Sequence, residues 1–331
     1  MINLFLNFNF WLESKTESKP KEQRTLSSKI VLNGLKLICR YMVYWELSLR
    51  KLMGLVKVEP LVDNGSLPFV SLTTFPKRLP NLWMVLYCIF RQTVRPAKIV
   101  VTLIEEEFPE GKTQLPSTLR YFEDKGVEFL FEKENLRPHN KYFYCRQKYP
   151  NRDVITIDDD LLYYPNTIER LLELHCQYPN SVCTNRGTRI LWDENGFYSY
   201  LKWENVLNNY GPSLDLVAMG YSSVFYPTSF QSNLLYDTPL IKELALGTDD
   251  LWLKAIEVMM EVGVVKGKYY AHPMTLPTSQ KIALQARNNS NTNNGNDTNW
   301  KKLNDKFELF DLLKNKTKSN KLVNKIKLHD F

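Results

Sequence analysis

From Leu67 onward, short β-branched runs alternate with runs of helical character. Phe69-Val-Ser-Leu-Thr-Thr reads as a strand ended by a Phe-Pro turn, Asn81 to Gln92 as a strongly apolar helix, and Lys98-Ile-Val-Val-Thr-Leu as a buried strand. The spacing then predicts a helix over Leu115 to Asp124, a strand at Val127-Glu-Phe-Leu-Phe, and a helix from Lys141 to Tyr149 stopped by Pro150. A strand at Val154-Ile-Thr-Ile and a helix from Thr167 to Gln177 close this half. Strands and helices in this order build βαβ units, so the expected fold class is α/β, with a central, mainly parallel sheet flanked by helices. Ligands of such sheets sit at the carboxyl ends of the strands, which directs attention to the residues just after Thr74, Leu103 and Ile157. Beyond Ser181 the alternation is less regular, until a helix opening near Thr248 places Leu251, Ala255, Val258, Met259 and Val262 on one side.

The termini differ in texture. Residues Glu13 to Ser28 are polar and read as a link from an apolar N-terminal piece to a helix over Ile30 to Val58. That helix carries Lys36, Arg40, Glu46, Arg50, Lys51 and Lys57, falls short of a membrane span, and has two readings: packed on the main domain, or lying on an anionic membrane surface. Seven of the twelve residues from Asn288 to Asn299 are Asn, a turn-prone composition that predicts a mobile loop and a candidate lid. The expected organisation is an N-terminal accessory segment (1–66), a main domain (67–287), a closing segment (288–311) and a Lys-rich tail (312–331).

Charge is informative mainly through its location. The 331-residue chain has a formal net charge of +7, and residues 312–331 hold six Lys against one Asp, leaving the remainder nearly neutral. That tail has no Arg and a single aromatic residue, so it lacks the stacking platform of a single-strand nucleic-acid binder, and no nucleic-acid partner is expected. Five cysteines at 39, 88, 145, 176 and 183 show no metal-ligand spacing and suit structural thiols in a reducing compartment.

Chemistry concentrates at Val154-Ile-Thr-Ile-Asp158-Asp159-Asp160, where an apolar strand runs into three carboxylates. Side chains two apart on an extended strand point the same way, so Asp158 and Asp160 are expected to converge on one ligand. Three neighbouring anions repel one another, and oxygen-only ligands suit Mn²⁺ or Mg²⁺. The alternative is a solvated acidic cap on the following turn.

From about Leu67 to Leu303 the chain resembles bacterial glycosyltransferases of the GT-A fold that use nucleotide-sugar donors. The resemblance rests on ordered motifs: Ser71-Leu-Thr-Thr-Phe-Pro-Lys-Arg78, Arg137-Pro-His-Asn-Lys-Tyr142, Ile157-Asp-Asp-Asp160 with Tyr164-Pro165, Asn185-Arg-Gly-Thr-Arg-Ile190, Gly220-Tyr-Ser-Ser-Val-Phe-Tyr-Pro227 and Gly247-Thr-Asp-Asp-Leu-Trp-Leu-Lys254, then Thr278-Ser-Gln280 and Asn296-Asp297. It implies that Thr73, Thr74, Arg78, Lys141, Asp158, Asp159 and Gly220 meet the nucleotide sugar. It implies Asp158 and Asp160 as metal ligands, with His272 as a third, and Asp250 as catalytic base with Asp249 beside it. A base in this place goes with inversion at the anomeric carbon. Each position also has an ordinary reading: strand-end hydrogen bonds for the threonines, dipole-favoured acids for Asp249 and Asp250, core packing for Trp252, a structural hydrogen bond for His272. Asn140, Asn185, Thr188, Tyr221 and Ser222 depart from the family pattern, which leaves donor and acceptor open.

The expected activity is metal-dependent sugar transfer from a nucleotide-diphosphate sugar to a hydroxyl of a glycan or lipid-linked acceptor, in the cytoplasm or at the inner face of the membrane. A nucleotidyltransferase acting on a sugar phosphate shares the layout but is expected to have a Gly-rich phosphate loop after its first strand, where this chain has Thr-Thr-Phe-Pro-Lys-Arg. A non-catalytic membrane-surface module is the alternative from another class.

Overall fold

A computed structural model of the protein describes residues 2–17, 26–277 and 295–316. The main sheet contains Phe69–Thr73 (β1), Lys98–Ile104 (β2), Val127–Glu132 (β3), Val154–Thr156 (β4), Val182–Thr184 (β5), Tyr210–Ser213 (β6), Val224–Tyr226 (β7) and Val264–Lys266 (β8). Their spatial order is β6-β8-β5-β7-β4-β1-β2-β3. The half that the alternating pattern predicts, β4-β1-β2-β3, is wholly parallel, with Ser71 opposite Val100 on one side and Thr156 on the other. The irregular half enters differently: β7 is antiparallel to both β4 and β5, β5 and β8 are parallel, and β6 is antiparallel to β8. Six of the eight strands thus share one direction.

Helices Leu79–Phe90 (α3), Ser117–Glu123 (α4), Asn140–Lys148 (α5), Thr167–Gln177 (α6) and Asp249–Met259 (α7) lie within a few residues of the positions their apolar spacing predicts. Alternation along the strands feeds two cores. On β7, Phe225 joins a core with Leu6, Leu47, Leu86 and Ile155, while Val224 and Tyr226 join another with Trp252, Ile256 and Trp300.

The N-terminal piece is helical from Ile2 to Glu17 (α1), and a second helix spans Leu26–Leu52 (α2), so the polar linker expected from Glu13 is shorter than its composition suggests. Ile2, Leu6 and Leu12 of α1 and Cys39, Val43 and Leu47 of α2 are buried in the first core. Full burial of such side chains contributes about 1.5–3 kcal/mol each. Asn9, also buried, donates through Nδ2 to the Tyr164 hydroxyl at 2.9 Å, which pins α1 to the segment following the three aspartates.

The Asn-rich stretch needs correction. Residues 288–294 lie outside the described residues, but Asn296–Phe307 form a helix (α8). Asp297 explains the early start: it lies in the first turn and accepts from the Tyr200 N–H at 2.6 Å and from Ser199 Oγ at 3.0 Å, while Trp300 and Leu303 bury into the second core. Asparagine composition is overridden here by two apolar side chains one turn apart. Residues 309–316 are helical as well, with Leu309 and Leu313 buried, so the expected tail boundary at 312 falls inside a packed element. The rest of the tail and the Thr278-Ser-Gln280 motif lie outside the described residues. All five cysteines are free thiols, four of them buried. Among the described residues no helix is long and apolar enough to cross a membrane.

Candidate active site

The carboxyl ends of β1 and β4 are adjacent, so the loop after Thr73 faces the loop after Thr156. Asp159, the middle aspartate, turns inward and is buried, accepting from Thr74 Oγ1 at 2.5 Å and from Arg78 Nη1. The second arm of the Arg78 guanidinium reaches Asp160 Oδ2 at 3.0 Å. Arg78 thus straddles two of the three aspartates. Burial pulls the Arg78 pKa down, but Asp159 and Asp160 outweigh it and leave the group more firmly charged than usual. Burial pushes the Asp160 carboxyl up to about 7, Arg78 opposing and the Asp158 and Asp159 charges adding to the rise.

Asp158 has a different cation. Helix α5 presents Lys141, buried, whose Nζ lies 3.1 Å from Asp158 Oδ1 and 2.9 Å from Asp249 Oδ2. Desolvation lowers the pKa of Lys141, yet Asp158, Asp249 and Asp250 together raise it well above the ordinary value, so it remains an ammonium. Its position is fixed from behind by His139, fully buried, whose Nε2 lies 2.8 Å from the Ala245 carbonyl and whose Nδ1 lies 3.1 Å from the Tyr142 hydroxyl. Burial drops the His139 pKa to about 4, so this imidazole is neutral and serves as a strut between the approach to α5 and the approach to α7.

The opening of α7 completes the site. The Gly220 N–H donates to Asp250 at 3.1 and 3.2 Å. A Cβ at Gly220 would stand 2.6 Å from Asp250 Oδ1 and 3.0 Å from Lys141 Nζ, so close approach by these two charged groups requires glycine. Burial raises the Asp250 pKa, and Asp249 next door raises it further, with Lys141 and the Gly220 N–H pulling the other way. Helix position alone would have weakened Asp250 as a base, since acids in a first helical turn are stabilised as anions. Enclosure reverses that outcome.

The structure therefore brings together Arg78, Asp158, Asp159, Asp160, Lys141, Gly220, Asp249 and Asp250, with Thr74 at the edge. Thr73 is not part of this network: its hydroxyl donates across the strand to the Thr102 carbonyl at 3.0 Å. Trp252 is fully buried and packs toward Phe307, ring centroids 6.2 Å apart, which places it in the core. His272 stacks on Tyr221 with centroids 4.9 Å apart, and its Nδ1 meets the Pro273 carbonyl at 2.6 Å. Burial lowers its pKa, but no hydrogen bond or ion pair among the described residues joins it to Asp158 or Asp160. Cys145 and Ser71 lie beneath the site and belong to the packing of β1.

Several contributors carried no chemical signal in the sequence. Tyr163 accepts from the Asp158 N–H at 2.8 Å and donates to the Tyr221 carbonyl at 3.0 Å, tying the aspartate loop to the Gly220 turn. Arg186, from the Arg-Gly-x-Arg block, donates through Nε to the Tyr221 hydroxyl at 3.1 Å and through both Nη atoms to Glu17 at 2.9 and 2.8 Å. Glu17 stands 169 residues away, at the end of α1, and only the fold reveals it.

Whether these residues suit a divalent cation follows from their charges. Five carboxylates face two protein cations, Arg78 and Lys141, and burial raises the pKa of Asp159, Asp160 and Asp250, which lessens the negative charge that an anionic ligand would meet. Arg78 and Lys141 already neutralise part of the aspartate cluster. Among the described residues no three metal-type ligands converge. Mg²⁺ and Mn²⁺ sites that use one or two carboxylates plus substrate phosphates do not require three, and Asp158 and Asp160 fit that type.

Neither a protein-family model nor a curated protein matches the chain. Solved structures with a similar course of the chain include a 4-diphosphocytidyl-2C-methyl-D-erythritol synthase (13% identity, 66% of this chain and 99% of that one, TM-score 0.40). Others are the mannosyltransferase PcManGT from Pyrobaculum calidifontis in complex with GDP-Man and Mn²⁺ (14% identity, 72% and 65%, TM-score 0.38) and an apo UDP-glucose pyrophosphorylase (9% identity, 73% and 98%, TM-score 0.38). At these scores the similarity fixes neither substrate nor reaction.

Proposed function

We propose that the protein is a glycosyltransferase of GT-A type that moves a sugar from a nucleotide-diphosphate donor to a hydroxyl acceptor with help from Mn²⁺ or Mg²⁺. The observation that carries this reading is Lys141 bridging Asp158 and Asp249, which sets the carboxylate pair of α7 against the aspartate loop. In this reading Arg78 and Lys141 supply positive charge for the diphosphate, and Asp159 holds Arg78 and Thr74 in place. Asp158 and Asp160 would hold the cation, which when bound would supply Lewis-acid stabilisation to the departing nucleoside diphosphate.

Asp250 takes the proton of the acceptor hydroxyl as the oxygen attacks the anomeric carbon, and the bond to the nucleoside diphosphate breaks on the opposite face. The outcome is inversion. Gly220 leaves room for donor and base to approach each other, and Asp249 keeps Lys141 aligned. In this reading His272, stacked on Tyr221, lines the acceptor region and the cation is left to the aspartates. Acceptor class, whether glycan or lipid-linked, belongs to this proposal only as a hydroxyl bearer.

A nucleotide-sugar panel with Mn²⁺ tests the reading on the parent protein and an Asp160→Ala variant. Glycosyl transfer predicts release of a nucleoside diphosphate from one donor and a Mn²⁺-dependent rise in melting temperature, both lost in the variant. Release of pyrophosphate from a nucleoside triphosphate and a sugar phosphate would replace it with nucleotidyl transfer.

A further inference from the structure

All but two of the strongly exposed large apolar side chains among the described residues, Tyr198 and Leu201 excepted, lie within the first 62 residues. On α2 they form one stripe. Ile30, Leu37, Ile38, Tyr41, Trp45 and Leu49 recur at intervals of seven, one, three, four and four residues, with Trp45 69% and Ile38 59% exposed. The opposite side of the same helix, Cys39, Val43 and Leu47, is buried in the core. Helix α2 is therefore apolar on two sides: one satisfied by the protein, the other facing outward. Helix α1 adds Leu4, Phe8 and Trp11 along its own outer line.

The stripe runs from Ile30 to Leu52, about 33 Å at 1.5 Å per residue. Its charges are one-sided. Between Ile30 and Val58 there are five Lys or Arg and one Glu, and Lys15, Lys51 and Lys57 have no carboxylate partner among the described residues. Lys15 lies 5.8 Å from the ring of the half-exposed Trp11, so a cation sits directly beside exposed aromatic surface, while Lys51 covers the buried Trp83 ring at 5.3 Å. A second copy of the chain would bring these cations against their own kind.

We infer that the outer face of the α1–α2 hairpin docks in the plane of an anionic lipid surface, its Trp, Tyr and Leu side chains in the headgroup boundary and its Lys side chains on the phosphates. The inference is independent of the reaction proposed above. Apolar burial plus cationic attraction is the combination that holds amphipathic helices at such interfaces. The absence of any spanning helix among the described residues leaves in-plane attachment as the mode for this segment.

The full-length chain is mixed with phosphatidylcholine vesicles, with or without phosphatidylglycerol, and binding is read by co-sedimentation and by tryptophan emission. The expected result is binding to phosphatidylglycerol vesicles with a blue shift, and little binding to phosphatidylcholine alone. Lys51→Gln with Lys57→Gln should weaken binding roughly tenfold or more, since each basic residue near such a surface contributes noticeably. Trp45→Ser with Leu49→Ser should abolish the shift while leaving the melting temperature unchanged, because both side chains are exposed. Equal binding to both vesicles, or to neither, overturns the inference. So does a lipid-free dimer that the Trp45→Ser/Leu49→Ser variant dissociates, which would assign the face to a second copy.

Discussion

At the scale of single residues, Asp250 and Gly220 are the sharpest tests of the site. Asp250→Asn keeps the shape and removes the base, so turnover should fall roughly a hundredfold to ten-thousandfold with donor affinity preserved, as measured by kcat and KM for the donor. A base works only when ionised. Because burial raises the Asp250 pKa, activity should disappear as pH falls through a point above the usual carboxylate range, and the acidic limb should be absent from the residual activity of the variant. Gly220→Ala inserts a methyl group 2.6 Å from the Asp250 carboxylate. Displacement of a reacting group by about 1 Å can lower a rate a hundredfold, and kcat for this variant should show it while the fold persists.

The aspartate loop and Asp249/Asp250 stood out in sequence because acidic side chains at the end of an apolar strand or helix start are conspicuous locally. Arg78 and Lys141 as the cations that share those aspartates were not readable as such. Ion pairing across 17 and 81 residues is a product of strand order, which no local pattern encodes.

At the scale of elements, α7 both supplies the carboxylates and carries a wholly buried ion pair one turn further on. Lys254 Nζ lies 2.8 Å from Glu257 Oε2 and donates to the Leu216 carbonyl at 2.8 Å, which fastens α7 to the strand that leads to Gly220. Glu257→Ala would leave a buried ammonium without its counter-ion and should cost about 3–5 kcal/mol in denaturant titration. A Lys254→Met/Glu257→Leu double variant should recover most of that loss. If the single and double variants are equally unstable, packing and not charge holds this junction.

The parallel elements were legible because a strand and a helix repeat with different periods. The antiparallel insertion of β7 between β4 and β5 was not, because three-residue strands are too short to show a period. Helix α8 was misread for a related reason. Its apolar anchors, Trp300 and Leu303, are few, and surrounding Asn and Lys residues mask them.

At the scale of the whole molecule, the net positive charge and the candidate site belong to different stretches of the chain. The excess of Lys lies at the termini, while the centre holds five carboxylates against two cations. Yet contacts cross between the N-terminal hairpin and the centre, Glu17 with Arg186 among them. Arg186 is largely enclosed; burial pulls its pKa down, and Tyr221 and Glu17 more than restore it. Glu17→Gln should weaken that clamp by about 2 kcal/mol, the worth of a charged hydrogen bond, and should raise KM for the acceptor more than KM for the donor. Equal changes in both, with an unchanged melting temperature, would detach Glu17 from the acceptor side.

That clamp has a practical bearing on how the chain can be cut. The first seventeen residues look like an expendable leader, yet their last carboxylate holds an arginine that in turn holds the tyrosine next to Gly220. On the function proposed above, a shortened chain starting at α2 would keep every aspartate yet lose the carboxylate that holds Arg186 against Tyr221, so its affinity for the acceptor should fall while its turnover chemistry persists.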